Sequence, residues 1–264
     1  MVSIIAHFLP KCYTVNNMAK ATKKSGQQPN ALQKAKARFL ATYYNNPARD
    51  LKIIAVAGNA GRDITAHYIQ SILKHKDELT GLIIDPKSTS ALYKQLFATW
   101  KSGADYVVVS TTTANLANHL FYGLPIHVAV LTDNIEDSQL QGAIIDTTAN
   151  DLESKSILFN TKPDYTIINR DESSYETFAQ YPTTTATRSY GRDRDSDLRI
   201  NRSKLYKVGT EANFTHGNDN FDVATYVTSQ SAVFYMAAAT LTALSLGLST
   251  NQIIDGIADY EPGE

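Results

Sequence analysis

From Leu51 onward, short unbroken apolar runs alternate with stretches of helical spacing. IIAVAG (53–58), GLIID (81–85), DYVVVSTT (105–112), IHVAVLT (126–132) and DYTIIN (164–169) read as strands. Between them AHYIQSILKH (66–75), SALYKQLFATWKSG (90–103) and ANLANHLFYG (114–123) read as helices, and SAVFYMAAATLTALSLG (231–247) as a last long one. Gly103 and Gly123 stand where the second and third of these helices end. Strands that are apolar along their whole length are strands covered on both faces, so the pattern predicts a doubly wound, mostly parallel α/β sheet with helices on both sides. Residues 183–228 differ, being rich in Thr, Arg, Asp and Tyr with short alternations such as LRINRSKLYKV, and predict a small antiparallel insertion before the last helix.

Upstream, Leu32, Ala35, Phe39 and Tyr43 recur at three- and four-residue intervals, which predicts an amphipathic helix packed through those four side chains. The polar stretch NMAKATKKSGQQPN (17–30) reads as a linker, and MVSIIAHFLPKCYTV before it as a surface helix or packing arm. Its apolar part is short and lacks the basic lead-in and small-residue cleavage site of a secretory signal. The expected organisation is therefore an arm and linker at 1–30 and one domain at 31–264.

Composition narrows the function classes. Twenty-five basic against 26 acidic residues leave a net charge of -1, which nominates no nucleic-acid partner. The single Cys12 excludes an internal disulfide framework and a thiolate metal cluster, and fits a reducing cytoplasm. No run approaches the roughly 18–20 apolar residues of a membrane-spanning helix.

The candidate chemistry sits where the first strand meets its helix, in Gly58-Asn59-Ala60-Gly61-Arg62-Asp63. A glycine turn between a strand and a helix presents backbone N–H groups and the positive end of a helix dipole to an anion. A nucleoside-triphosphate loop ends in Gly-Lys-Ser/Thr, whereas this one has Arg62 for the lysine and Asp63 for the hydroxyl. Arg62 keeps the charge on a wider fork, and Asp63 sets a carboxylate where Mg²⁺ would meet a hydroxyl. The loop reads either as an altered nucleotide site or as a strand-to-helix turn with Asp63 as an ordinary first-turn acid.

The ordered series of segments resembles the central ATP-binding domain of the Mur ligases, in particular the branch that adds the third residue of the peptidoglycan stem. ARFLATYYNNPARDLKIIAVAGNAG (37–61) resembles the approach to that family's phosphate loop. GADYVVVSTTTANLANHLFYGLPIHVAVLTDNIED (103–137) resembles its Gly-Ala-Asp strand and its Thr-Asn-Leu-x-x-Asp-His segment. ESKSILF, TIINRDES and RSYGRDRDSDLRI resemble its Ala-Lys-x-x-Leu-Phe helix, its Val-Val-Asn-x-Asp-Asp strand and its Thr-Phe-Gly turn, and the closing LGLSTNQIIDGIADYEPGE resembles the end of the domain. The match runs over roughly residues 35–264. At most the first 50 residues are expected to remain of the family's UDP-sugar-holding domain, and no counterpart of its C-terminal domain is expected within 1–264.

The resemblance implies ATP and Mg²⁺ as cofactors and assigns roles position by position. Gly58, Asn59, Ala60, Gly61, Arg62 and Asp63 fall on the phosphate loop, and Asn169 on the base-side strand, with Asp171 just beyond. Asp63 and Asp137 are the metal candidates, Asp137 keeping the carboxylate of the Asp-His pair while Ser138 replaces the imidazole, with Asp133 and Glu136 nearby. The family's metal-binding Glu falls on Ser110 and its metal His on Ala114. Lys155 falls on the lysine that the family carbamylates to make a further carboxylate, so Lys155 and Asp137 are the catalytic candidates; a surface lysine on a charged helix is the other reading. Thr112 and Thr113 are candidates for a polar substrate, or cap the next helix. Asp85-Pro86 replaces Thr-Thr-Pro, Leu120 replaces a substrate-reaching Arg, and Glu264 replaces the Arg of Pro-Gly-Arg.

Phosphoryl transfer depends on positioning and charge stabilisation by such groups. The expectation is a non-ligating relative in peptidoglycan-precursor synthesis, cytoplasmic, with weak or no nucleotide binding and a protein partner such as an intact ligase. UDP-MurNAc-peptide binding is not expected without the missing domains. The alternatives are an active ATP-dependent acid–amino acid ligase with a rewired site or completed by another chain, and a non-catalytic interaction module. The six histidines show no metal-ligand spacing, and His67 and His127 read as packing or surface residues.

Overall fold

The computed structural model describes residues 28–76, 78–132 and 149–262. The N-terminal arm with Cys12, most of the linker, the acidic segment holding Asp133, Glu136, Asp137 and Ser138, and Glu264 lie outside the described residues.

A first helix α1 (Ala31–Tyr43) and a short 3-10 turn (Pro47–Arg49) lead into β1 (Lys52–Ala57), α2 (Arg62–Lys74), β2 (Thr80–Ile84), α3 (Thr89–Lys101), β3 (Tyr106–Thr111), the five-residue α4 (Thr113–Ala117) and β4 (Val128–Leu131). After the undescribed segment come α5 (Ala149–Phe159), β5 (Tyr165–Asn169), α6 (Tyr175–Ala179), four strands β6 (Ala186–Gly191), β7 (Leu198–Tyr206), β8 (Gly209–His216) and β9 (Asp219–Thr225), and two helices α7 (Ala232–Ser245) and α8 (Thr250–Ala258). All nine strands form one sheet in the order β2-β3-β1-β4-β5-β6-β7-β8-β9. Every neighbouring pair from β2 to β7 is parallel, and β7-β8 and β8-β9 are antiparallel.

Alternate residues of each inner strand feed opposite cores. Ile54 and Val56 of β1 join Val108, Val130 and Ile167 against α2, α7 and α8. Ile53, Ala55 and Ala57 join Val107, Val109 and Ala129 against α1, α3, α5 and α6. Two-sided burial is why these strands show no polar alternation. Hydrophobic burial holds the layers together at about 25 cal/mol per Å² of apolar surface removed from water. α7 is apolar on all sides because it is wrapped, with every residue from Ala232 to Ala243 buried.

The antiparallel strands expected within 183–228 are there: β6 continues the parallel sheet, and β7-β8-β9 extend it as an antiparallel meander before α7. β7 starts buried at Leu198 and is exposed from Asn201 on, as a strand leaving the cover of the helices must be. The structure corrects the sequence in two places. The helix expected at 114–123 stops at Ala117, because His119 takes a positive φ of 57° and turns Leu120 and Phe121 into the core. α1 packs through the wrong face for its apparent stripe: Leu32, Phe39 and Tyr43 are exposed at 78%, 66% and 67%, Ala35 is exposed, and Ala37 and Leu40 are buried. Tyr44 fixes that orientation by packing on Phe97 of α3, ring centroids 5.5 Å apart.

Among the described residues no helix is long and apolar enough to cross a membrane.

Candidate functional site

The chain runs from β1 outward to β2, returns to β3 beside β1, then crosses to β4 on the other side. The strand order therefore reverses at β1, where an open parallel sheet leaves a crevice at the carboxyl ends of its strands. The loop 58–61 emerges there, flanked by the ends of β3 at Thr111 and β4 at Leu131.

Gly61 sets the loop's shape. It caps α2 in the left-handed region, with φ 68°, and a Cβ at that position would lie 1.9 Å from the ring of Tyr235, which α7 drives beneath the loop. Both the dihedral and the space require glycine. Thr132, just past β4, donates its hydroxyl to Ala60 O at 2.9 Å and its N–H to Ala57 O at 3.0 Å, so the loop is tied at both ends to β4. Gly61 contributes no side-chain oxygen at the α2 N-terminus, where the first-turn N–H groups and the dipole face outward.

Arg62 and Asp63 open the helix. Arg62 Nε is buried with no hydrogen-bond partner and lies 3.5 Å from Asp63 Oδ1. The same Asp63 oxygen accepts a hydrogen bond from Ser110 Oγ, on the strand position where the family resemblance puts a glutamate. A carboxylate and a hydroxyl still meet across the loop and β3, with their elements exchanged: the resemblance puts the hydroxyl on the helix and the carboxylate on the strand, and this chain has the reverse. One helical turn further on, His67 stacks on Tyr260 with ring centroids 5.3 Å apart.

On the other side of the loop lies a group that sequence reading missed. Asn59 donates from Nδ2 to Asp151 Oδ1 at 3.3 Å, and Thr113 Oγ1 donates to Asn59 Oδ1 at 3.3 Å. Asp151 in turn forms an ion pair with Lys155, four residues along α5, with both residues under a tenth exposed. Asp151 and Lys155 at i,i+4 were legible as a helix-surface pair; that the pair is inside was not. The reading of Lys155 as a surface lysine is therefore wrong, since only 4% of it is exposed.

The remaining candidates separate. Thr112 caps α4 by accepting from Asn115 N at 3.3 Å, so its hydroxyl serves the helix, whereas Thr113 serves the loop through Asn59. Asn169, buried at the end of β5, accepts from Asp171 N at 3.0 Å. Asp171 accepts from Arg192 N at 2.7 Å and Asp193 N at 3.0 Å, and so holds the turn after β6 beside β5. Arg170 reaches Tyr175 OH at 2.9 Å and Asp193 at 3.2 Å. Leu120 is core, and Asp85, at φ 44°, accepts from Asn115 Nδ2 at 2.9 Å. His127 Nδ1 is hydrogen-bonded to Asp164 Oδ2 just ahead of β4. Asp137 lies outside the described residues, and among the described residues no three His, Cys, Asp or Glu gather closely enough to hold a metal.

Burial holds the His67 imidazole below its ordinary pKa of 6.5, with Asp63 opposing the shift, and burial lowers His119 likewise. A histidine whose pKa falls on folding binds fewer protons in the native state just below pH 6.5, so it supports stability above that pH and loses it as pH falls. Urea unfolding between pH 7.5 and 5 is expected to show a midpoint that falls with pH, with a shallower fall in a His67→Gln, His119→Gln variant. An equal slope in both proteins would assign the acid sensitivity elsewhere.

An α/β domain with a glycine loop between its central strand and an open helix N-terminus belongs to the class of phosphate-loop folds. A family profile described as Mur ligase middle domain matches residues 56–243, and the chain belongs to that family. The UDP-N-acetylmuramoyl-L-alanyl-D-glutamate--2,6-diaminopimelate ligase of Syntrophomonas wolfei is 23% identical over 243 residues, covering 86% of this chain and 50% of its own. A solved structure of a ligase of that description superposes with a TM-score of 0.72 at 17% identity, over 86% of this chain and 50% of the other. The MurF ligase of Thermotoga maritima in complex with ADP gives 0.63 at 14% identity, over 85% of this chain and 52% of the other. The chain spans about half the length of these relatives.

Proposed function

We propose that this domain binds the phosphates of ATP at the 58–63 loop without carrying out ligation by itself, as a non-ligating relative in peptidoglycan-precursor synthesis that works beside an intact ligase. The observation that carries this reading is the loop itself. Gly61 holds an open helix N-terminus, and the buried Arg62 Nε beside it lacks an acceptor, a donor that a phosphate oxygen would satisfy. The family match and the ADP bound by the Thermotoga maritima relative support a nucleotide as that anion. Asn169, at the end of β5, is the candidate on the base side.

Mg²⁺ commonly keeps several waters and takes one or two protein oxygens with the substrate phosphates. Asp63 and Ser110 offer one carboxylate and one hydroxyl at the loop, which fits that demand for one ion. When bound, the ion neutralises phosphate charge. The chain's own residues do the rest: the loop orients the phosphates, Arg62 adds a fixed positive charge, and Thr113 and Asn59 keep the loop's outer edge in place. The non-ligating reading follows from what stands at the positions where the family resemblance puts further metal ligands. Ala114 has no donor atom, and Lys155 is committed to Asp151. The Asp63–Ser110 exchange favours a second reading, an active ligase with a rewired site that uses Arg62, Asp63, Asp137 and Lys155.

Calorimetric titration with ATP, with and without Mg²⁺, separates these. Saturable binding is expected in the native protein, weakened at least tenfold in Arg62→Ala, with Asp63→Ala removing the Mg²⁺ dependence. Heat that never saturates at millimolar ATP would overturn nucleotide binding. Phosphate release with UDP-MurNAc-dipeptide and an amino acid would overturn the non-ligating part and establish the second reading.

A further inference from the structure

The family resemblance assigns no role to Asp151, and this residue bears on what Lys155 does. A lysine takes up CO2 as the neutral amine: the nitrogen lone pair attacks carbon, one C=O electron pair moves onto oxygen, and an N–H proton leaves to solvent. The product is a carbamate of charge -1. In this chain the Lys155 nitrogen faces the Asp151 carboxylate, both under a tenth exposed.

Two costs oppose carbamate formation there. Removing the ammonium proton would leave the buried Asp151 carboxylate without its counter-charge. Adding the carbamate would then set two carboxylates side by side in a place screened from water, and like charges at close range do not both ionise readily. Asn59 fixes the arrangement from outside, since its amide donates to Asp151 Oδ1 while the lysine pairs with Oδ2.

We infer that Asp151 holds Lys155 as an ammonium and keeps it unmodified, so that the carboxylate oxygen beside the phosphate loop is Asp151 Oδ1, in place without CO2. The charge at this corner changes accordingly. A carbamylated Lys155 beside the Asp151 carboxylate would bring -2, whereas the ion pair brings zero, which suits an approaching phosphate and disfavours a further divalent cation. Asp151 is thus a positioning residue for both Lys155 and the loop asparagine.

The test uses the native protein with no nucleotide present, so its outcome is independent of ATP binding. In saturating 13C-bicarbonate, NMR is expected to show no carbamate resonance that disappears in Lys155→Arg. Trace labelling with acetic anhydride, read by mass spectrometry, is expected to be at least tenfold slower at Lys155 than at the exposed Lys94. Asp151→Asn should raise the Lys155 rate at least tenfold, and Asp151→Glu, which keeps the charge, should leave it slow. A Lys155-dependent carbamate resonance overturns the inference. So does labelling of Lys155 at the Lys94 rate, or an Asp151→Asn rate equal to the native one, which would assign the slowness to burial alone. Should Asp151→Asn fail to fold, Asp151→Ser takes its place, with the same expected and overturning rates.

Discussion

Gly61→Ala is expected to destabilise the protein by about 2–5 kcal/mol and to abolish any nucleotide binding. About 1–2 kcal/mol comes from forcing an L-residue into the left-handed region at φ 68°. Overpacking adds about 1–3 kcal/mol, because the new Cβ would lie 1.9 Å from the Tyr235 ring, and Tyr235 sits at the start of a helix with no free side. Gly123→Ala is the control. Its φ is 81° and nothing lies within 4 Å of the added Cβ, so only the dihedral cost of about 1–2 kcal/mol applies. Urea unfolding of both variants checks this, and equal losses would mean that the Tyr235 contact does not constrain the loop.

Asp151→Leu is expected to cost about 3–5 kcal/mol, because it takes the Asp151 counter-charge away from the buried Lys155 ammonium. Lys155→Met should cost a similar amount for the converse reason. The double variant Asp151→Leu, Lys155→Met should recover most of the loss, since removing both charges abolishes the desolvation penalty along with the attraction. Denaturation of the four proteins of this cycle measures the coupling. Strictly additive losses would mean that the two charges do not depend on each other. The apolar substitution also removes the Asp151 Oδ1 acceptor of Asn59, so the loop is expected to loosen even in the double variant.

Much of the fold was legible because its signal is local. The runs IIAVAG and DYVVVSTT are apolar without alternation, and both became inner strands with neighbours on each side and helices on each face. Gly61 could be assigned to a loop because strand, glycine turn and helix follow one another within a dozen residues. The meander was harder. Its alternating strands announced antiparallel pairing, but nothing in LRINRSKLYKV says that β7 also pairs in parallel with β6, a contact that depends on where the sheet already lies.

α1 shows the limit of periodicity. The stripe Leu32, Ala35, Phe39, Tyr43 and the adjacent stripe Ala37, Leu40, Tyr44 both recur at helical intervals, and the bulkier one stayed outside. Which stripe packs is decided by the partner, here Phe97 on α3, against which Tyr44 packs. Spacing gives the helix and leaves its rotation open.

The site divides along the same line. The residues 58–63 are contiguous, so the sequence by itself determined that a glycine turn joins a strand to a helix and that Arg62 and Asp63 stand where a nucleoside-triphosphate loop has its lysine and hydroxyl. Only the tertiary structure decided what those changes mean. Ser110 is 47 residues from Asp63 and Asp151 is 92 from Asn59, and the parallel sheet brings each pair into hydrogen-bond reach by aligning the carboxyl ends of its strands. Strand and helix propensities are properties of neighbours along the chain, whereas the charge state of a lysine is a property of whatever folding sets beside it. That is why the sequence named Lys155 and the fold gave it Asp151.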